Sequence, residues 1–197
     1  MNMTQRFRIA AYFSIAYAVL SIPLMVASVL TGIAETTGAI SGLTRRIITA
    51  VMSIVGYALA IYVLVALREL FEQRYRYQGV SGILKAFIYL YAVFMVLSVL
   101  GLISSAMETT VGILSVIAMI VVGVMSIVYG IRLLSFDEDL YGCRKPYAVI
   151  EIATGVCLST VLLIPLGILL NIGGNIFLAI IFFREAENMM NPQDENP

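Results

Sequence analysis

The chain has 197 residues, 61% of them hydrophobic and only 12% charged, with a mean hydropathy of +0.99. A soluble domain carries about 25% charged and 45–50% apolar residues, and one small aqueous core could not bury this surplus, so the composition excludes an ordinary soluble domain and calls for a lipid bilayer as solvent. Twelve Lys/Arg balance twelve Asp/Glu, which leaves no basis for a nucleic-acid partner.

A spanning helix needs about 20 apolar residues, roughly 30 Å at 1.5 Å per residue. Arg6 and Arg8 precede an uncharged run from Ile9 to Ala34. That run exceeds the core of a cleaved signal peptide and predicts a retained first span over about 9–31. The second span, about 47–70, lies between Arg46 and the segment RELFEQRYRY, Arg68 to Tyr77. Glu72 and Arg76 at i,i+4 spacing predict that this helix runs on past the membrane. Spans over about 86–106 and 110–133 follow, separated by Glu108. Asp137-Glu138-Asp139 matches no calcium-loop spacing and reads as a solvated turn.

The last apolar stretch, Pro146 to Phe183, is interrupted only by Glu151. As one straight helix it would measure about 57 Å, nearly twice the hydrocarbon core. A turn at Pro165-Leu166-Gly167 divides it into spans of about 147–165 and 168–185; a turn at Asn171 to Asn175 would leave the last helix too short to cross. The fold expected is all-α: one polytopic transmembrane helical domain over 1–187, six spans in three hairpins, and a polar, frayed tail over 188–197.

Basic residues set orientation. With a cytoplasmic N-terminus and six spans, Arg45 and Arg46 are the only two of the twelve Lys/Arg on the far side. Both termini are therefore expected in the cytoplasm, in a plasma membrane or a bacterial inner membrane. Aromatic residues lean toward the same side, from Tyr75 and Tyr77 through Phe87, Tyr91 and Tyr129 to Phe136, Tyr147 and Phe182, which reads as an interfacial belt. A weak internal repeat is visible too. Tyr-Ala-Val begins at Tyr17, Tyr91 and Tyr147, and Glu-Thr-Thr begins at Glu35 and Glu108, as parallel hairpin repeats would require.

The chain has no histidine, so histidine-ligated haem, His-containing zinc sites and Ser-His or Cys-His catalytic pairs are excluded. Two cysteines cannot hold an iron–sulfur cluster, and no phosphate-cradling glycine loop is present. The expectation is a non-catalytic protein with no cofactor and no metal. Cys143 beside Arg144 and Lys145 raises the question of a lowered thiol pKa, though a lone cysteine is more often inert.

Three residues form a candidate intramembrane polar site: Glu151, the one acid inside a span, and Asn171 and Asn175, one helical turn apart. Because Glu151 follows Arg144 and Lys145 so closely, a structural ion pair outweighs a transport role on sequence alone. Gly155 with Ser159, and Ser126 with Gly130, suit close helix packing. Arg74, Tyr75, Arg76, Tyr77, Arg144 and Lys145 form a candidate cytoplasmic docking rim. The scarcity of buried charge, the short loops and this one-sided rim favour an accessory or scaffolding subunit, partnered by the bilayer and by other membrane subunits or itself. The alternative is a small channel or secondary transporter using Glu151 and the Asn171/Asn175 face.

Overall fold

The computed structural model describes residues 2–103, 105–160 and 163–190. It is all-helical over these residues, with no strands. Six α-helices follow one another: α1 (Met3–Thr36), α2 (Gly42–Glu69), α3 (Ser81–Leu100), α4 (Ser105–Leu134), α5 (Arg144–Ser159) and α6 (Ile164–Met190). A π-helical turn, Leu70–Arg74, extends α2. Four stretches are long and apolar enough to cross a membrane: Gly42–Arg74, Ser81–Leu100, Thr109–Leu134 and Ile164–Met190. They point to a membrane helical bundle.

Each helix packs against its neighbours in the chain, and α6 returns to pack along α1, so the six close into a ring. The first turns of α1 and the last turns of α6 meet at one end, called basal here, where Phe7 stacks on Phe182 with centroids 6.0 Å apart and Tyr12 meets Phe183 edge-on at 5.2 Å. Ion pairs clamp α1 to α2 at both ends: Arg6 to Glu69 at 2.8 Å on the basal side and Arg45 to Glu35 at 2.5 Å on the distal side. Outward faces are apolar along the middle of the helices, with exposed charges such as Arg8, Lys85 and Arg184 toward the basal end. On α4, for example, Ile113, Ile117, Val124 and Ile131 are each more than half exposed. In water so large an apolar surface would aggregate, whereas against lipid chains it is the ordinary exterior.

Small residues set the closest seam. A β-carbon on Gly155 of α5 would come within 2.5 Å of the Gly123 carbonyl oxygen on α4, and one on Gly130 within 2.8 Å of the Ala148 carbonyl oxygen. Backbone therefore lies on backbone along α4 and α5, as small residues allow between helices in lipid. Gly155 and Gly130 pack as their spacing suggested. Gly123 joins them, while Ser126 turns to the interior of the ring.

Three details differ from the sequence expectation. The break between the last two helices falls before Pro165: α5 ends at Ser159 and α6 begins at Ile164. Pro165 then occupies the first turn of α6, where its missing N–H is no loss. The expected Glu72–Arg76 pair does not form, because the chain leaves the helix and Arg76 takes a φ of 51°. Glu72 instead accepts from Arg68 at 2.9 Å and from the Ser81 hydroxyl. Asn188 to Met190, expected in a frayed tail, complete α6; residues 191–197 lie outside the described residues.

Replacing Gly155 with Leu should disrupt the α4–α5 seam, costing more than the usual ~1–3 kcal/mol of overpacking because backbone cannot move aside. Gly32→Ala, whose new methyl meets nothing within 4 Å, should leave thermal unfolding in detergent unchanged or slightly improved. Equal melting temperatures for the two variants would contradict the packing described.

Candidate functional site

The ring encloses a cavity of about 80 Å³ to which all six helices contribute. Tyr17 comes from α1, Val63 from α2, Tyr91 from α3, Ser126 and Tyr129 from α4, Tyr147, Glu151 and Thr154 from α5, and Asn171 and Asn175 from α6. A side chain that cannot be solvated by lipid has only this interior to face. The three polar residues singled out from the sequence therefore share one chamber.

Glu151 lies across the α5–α6 seam. Its Oε1 would sit 3.3 Å from a β-carbon added to Gly174, so the carboxylate rests over a glycine that leaves it room. Its neighbours are phenols: the Tyr147 hydroxyl hydrogen-bonds it, and the Tyr91 and Tyr129 hydroxyls lie within electrostatic reach. No ion pair to Glu151 forms among the described residues, and neither Arg144 nor Lys145 turns inward to it. Asn175 Nδ2 donates to the Asn171 side-chain oxygen at 2.6 Å and to its carbonyl oxygen at 2.9 Å. The two asparagines are thus linked within α6 by the Asn175 amide donor. Two buried hydroxyls on the cavity wall, Tyr129 Oη and Thr154 Oγ1, have no hydrogen-bond partner. Buried polar atoms left so cost about 1–3 kcal/mol each, a deficit that an occupant of the cavity would relieve.

The aromatic residues expected in an interfacial belt, which also include Tyr89, Tyr141 and Phe183, divide by direction. Phe87, Tyr129, Phe136, Tyr147 and Phe182 are buried, Tyr75, Tyr77, Tyr91 and Phe183 are partly buried, and Tyr89 and Tyr141 are exposed. The buried ones fill the ring, and Phe87, Tyr129 and Tyr147 make edge-to-face contacts at 6.4 and 6.2 Å. Tyr17, Tyr91 and Tyr147, the first residues of the three Tyr-Ala-Val repeats, all line the cavity.

A second pocket, about 280 Å³, opens at the distal end between α2, α3 and α4. Thr49, Ser53, Ser98 and Ser115 give it hydroxyl walls, Arg46 stands at its rim, and Tyr57 lines it on the side toward the ring. Tyr57 stacks on Tyr91 at 5.9 Å and on Phe94 at 5.6 Å. A layer of aromatic rings therefore separates this pocket from the central cavity.

The basal end holds a polar knot with no counterpart in the sequence reading. Glu185 on α6 is completely buried, paired with Arg74 Nε at 2.8 Å, and accepts from the hydroxyls of Tyr141 at 2.8 Å and Tyr75 at 3.1 Å. Three charged or phenolic partners compensate one buried carboxylate, as burial demands. The knot ties the π-turn, the α4–α5 loop and α6 together. It also explains the backbone of that loop, where Leu140 and Tyr141 both have positive φ, 49° and 59°. Such conformations are unfavourable for side-chain-bearing residues; the buried Leu140 side chain and the Tyr141 hydroxyl on Glu185 hold them.

The six rim residues accordingly divide. Arg74 and Tyr75 bind Glu185, and the Tyr77 hydroxyl donates to the Arg132 carbonyl oxygen at 3.1 Å. Arg76 and Lys145 are exposed, with Arg144 half-buried. Cys143 is buried, and burial together with Asp139 raises its thiol pKa rather than lowering it. No known family matches the chain, nor does any curated protein or solved structure.

Removing the Arg74 charge should leave Glu185 buried with hydroxyl donors alone. Arg74→Ala is expected to destabilise by about 2–4 kcal/mol, less than a fully buried pair because Arg74 is partly solvated. Arg74→Lys should recover part of the loss in thermal unfolding. Burial and the Glu185 carboxylate push the Tyr141 hydroxyl from 10.0 up to about 12, and the same causes raise Tyr75. A raised phenol pKa favours the folded state fully below pH ~10, and the advantage is lost as pH rises toward ~12. The melting temperature should fall over that window, less steeply in Tyr141→Phe; equal slopes would contradict the knot.

Proposed function

We propose that this chain is a small multi-pass membrane transporter whose solute site is the Glu151 cavity. The observation that carries the reading is the ring itself, six helices contributing to one chamber that holds a single carboxylate without an ion-pair partner among the described residues. A carboxylate in an apolar interior is costly, and a cation or proton supplied by transport is the partner it lacks. The repeat of Tyr17, Tyr91 and Tyr147 on α1, α3 and α5 agrees with three hairpins around a common centre, an arrangement used by carriers. In this reading all six helices cross the bilayer, with the basal end and both termini in the cytoplasm. The distribution of Lys/Arg supports that orientation. At 16 residues, α5 is about 24 Å long, so in this reading it crosses where the bilayer thins.

The accessory-subunit reading comes second. It drew on the basic and aromatic rim, and Arg74, Tyr75 and Tyr77 are engaged within the chain.

Purified chain in liposomes should carry a cation or proton flux, and Glu151→Gln should reduce it by at least about tenfold with folding intact, since the neutral amide carries no charge to be compensated. A Glu151→Gln variant that transports normally would overturn the assignment, as would absence of flux for every cation tried. A reporter active only in the cytoplasm, fused to the C-terminus, should be active; a silent fusion would contradict the topology.

A further inference from the structure

The walls around Glu151 narrow the chemistry of the solute. Tyr17, Phe87, Tyr91, Tyr129 and Tyr147 line the same cavity as Glu151. Four of these rings form a chain of contacts: Phe87 lies 6.4 Å from Tyr91 and 6.4 Å from Tyr129, and Tyr129 lies 6.2 Å from Tyr147. An anion would meet both the carboxylate and the negative faces of the rings. A neutral solute would leave the carboxylate uncompensated. A bare metal cation needs a shell of oxygen ligands, yet among the described residues no three acidic or cysteine side chains are placed to hold a metal ion together, and Glu151 is the one carboxylate on the cavity wall.

An alkylammonium ion satisfies every wall at once. Its charge pairs with the carboxylate, while its weakly hydrated methyl groups lie against aromatic rings, an arrangement that attracts most when water is excluded. Any N–H it carries can be accepted by the two unpartnered hydroxyl oxygens, of Tyr129 and Thr154. We propose that the central cavity binds a small alkylammonium cation, paired with Glu151 and enclosed by these five aromatic side chains. This rests on the reading of the cavity as the solute site.

The same rings lie between the cavity and the distal pocket, so entry from that side requires them to move. Tyr57 faces the distal pocket and stacks on Tyr91, which contacts Phe87, which contacts Tyr129 beside Tyr147. A continuous series of ring contacts therefore joins the distal pocket to the wall of the Glu151 chamber. A cation leaving water at the hydroxyl-lined pocket would meet one ring after another before reaching the carboxylate. Small size is also required, since the chamber is about 80 Å³.

The test uses the full chain in detergent, titrated calorimetrically with methylammonium through tetramethylammonium chloride, against sodium chloride at equal ionic strength. Saturable binding of at least one ammonium ion, absent for sodium, is expected. Glu151→Gln and Tyr129→Leu should each weaken it by about tenfold or more, whereas Tyr129→Phe, which keeps the ring, should stay within about threefold. Circular dichroism and gel filtration confirm that each variant is folded. If Tyr129→Leu fails to fold, the comparison of wild type with Glu151→Gln decides alone. Binding that survives Glu151→Gln would overturn the site. Competition by a short-chain phosphatidylcholine would overturn a free solute in favour of a lipid headgroup. No ammonium binding, with a Glu151-dependent sodium or proton flux in liposomes, would overturn the ammonium assignment and leave the transporter reading standing. No binding and no flux would overturn both.

Discussion

Lipid cannot hydrogen-bond a polar side chain, and that constraint organises the chain. The helices present apolar residues to the outside along their middle turns, and much of the polarity at that depth lines the cavity within the ring. Glu151, Thr154, Ser126, Asn175 and the tyrosines gather there because no other direction accommodates them. Hydrophobic attraction between helices is weak in such a solvent, so cohesion falls to close packing and polar contacts. The glycines at the α4–α5 seam provide the first, and the Glu185 knot provides the second.

The two interior carboxylates, Glu185 fully buried and Glu151 partly buried on the cavity wall, show how differently one residue type can be used. Glu185 has a guanidinium and two phenols and is saturated; its role is to lock the π-turn and the α4–α5 loop against α6. Glu151 has phenols near it but no cation, and it borders open volume. A buried charge met by an opposite charge is architecture, whereas one without an ion-pair partner beside a cavity is a candidate site. The strained Leu140–Tyr141 backbone falls at the knot and not at the cavity, so the strain serves fastening.

Much of this was legible in the residues. Long uncharged runs indicated the helices, Gly130 and Gly155 marked a seam, and Glu151 with the two asparagines marked the polar interior. The repeated Tyr-Ala-Val looked weak in sequence because apolar stretches produce coincidences, yet its three tyrosines converge on one cavity. Other features depended on distance that no local pattern carries. Glu185 follows Arg184 at a helix end, which is where a solvated acid is ordinarily found, and its partners lie 44 to 111 residues away. The aromatics were read as a belt because their depth was visible but their direction was not. Arg74, Tyr75 and Tyr77 looked like a free rim for the same reason. Proline position misled by a turn, since Pro165 opens a helix rather than occupying the break.

The account depends above all on which face of α4 looks inward. With Cys143 and Cys157 replaced by serine, single cysteines at Ser126, on the cavity wall, and at Val124, which is 51% exposed on the outside of the ring, can be challenged in membranes. The probe is a water-soluble thiol reagent bearing a trimethylammonium group. Labelling at Ser126→Cys, slowed by excess tetramethylammonium, with Val124→Cys inert in lipid, is the expected result. Labelling at Val124→Cys with Ser126→Cys inert would mean that the ring faces the other way, and the enclosed site would fall with it.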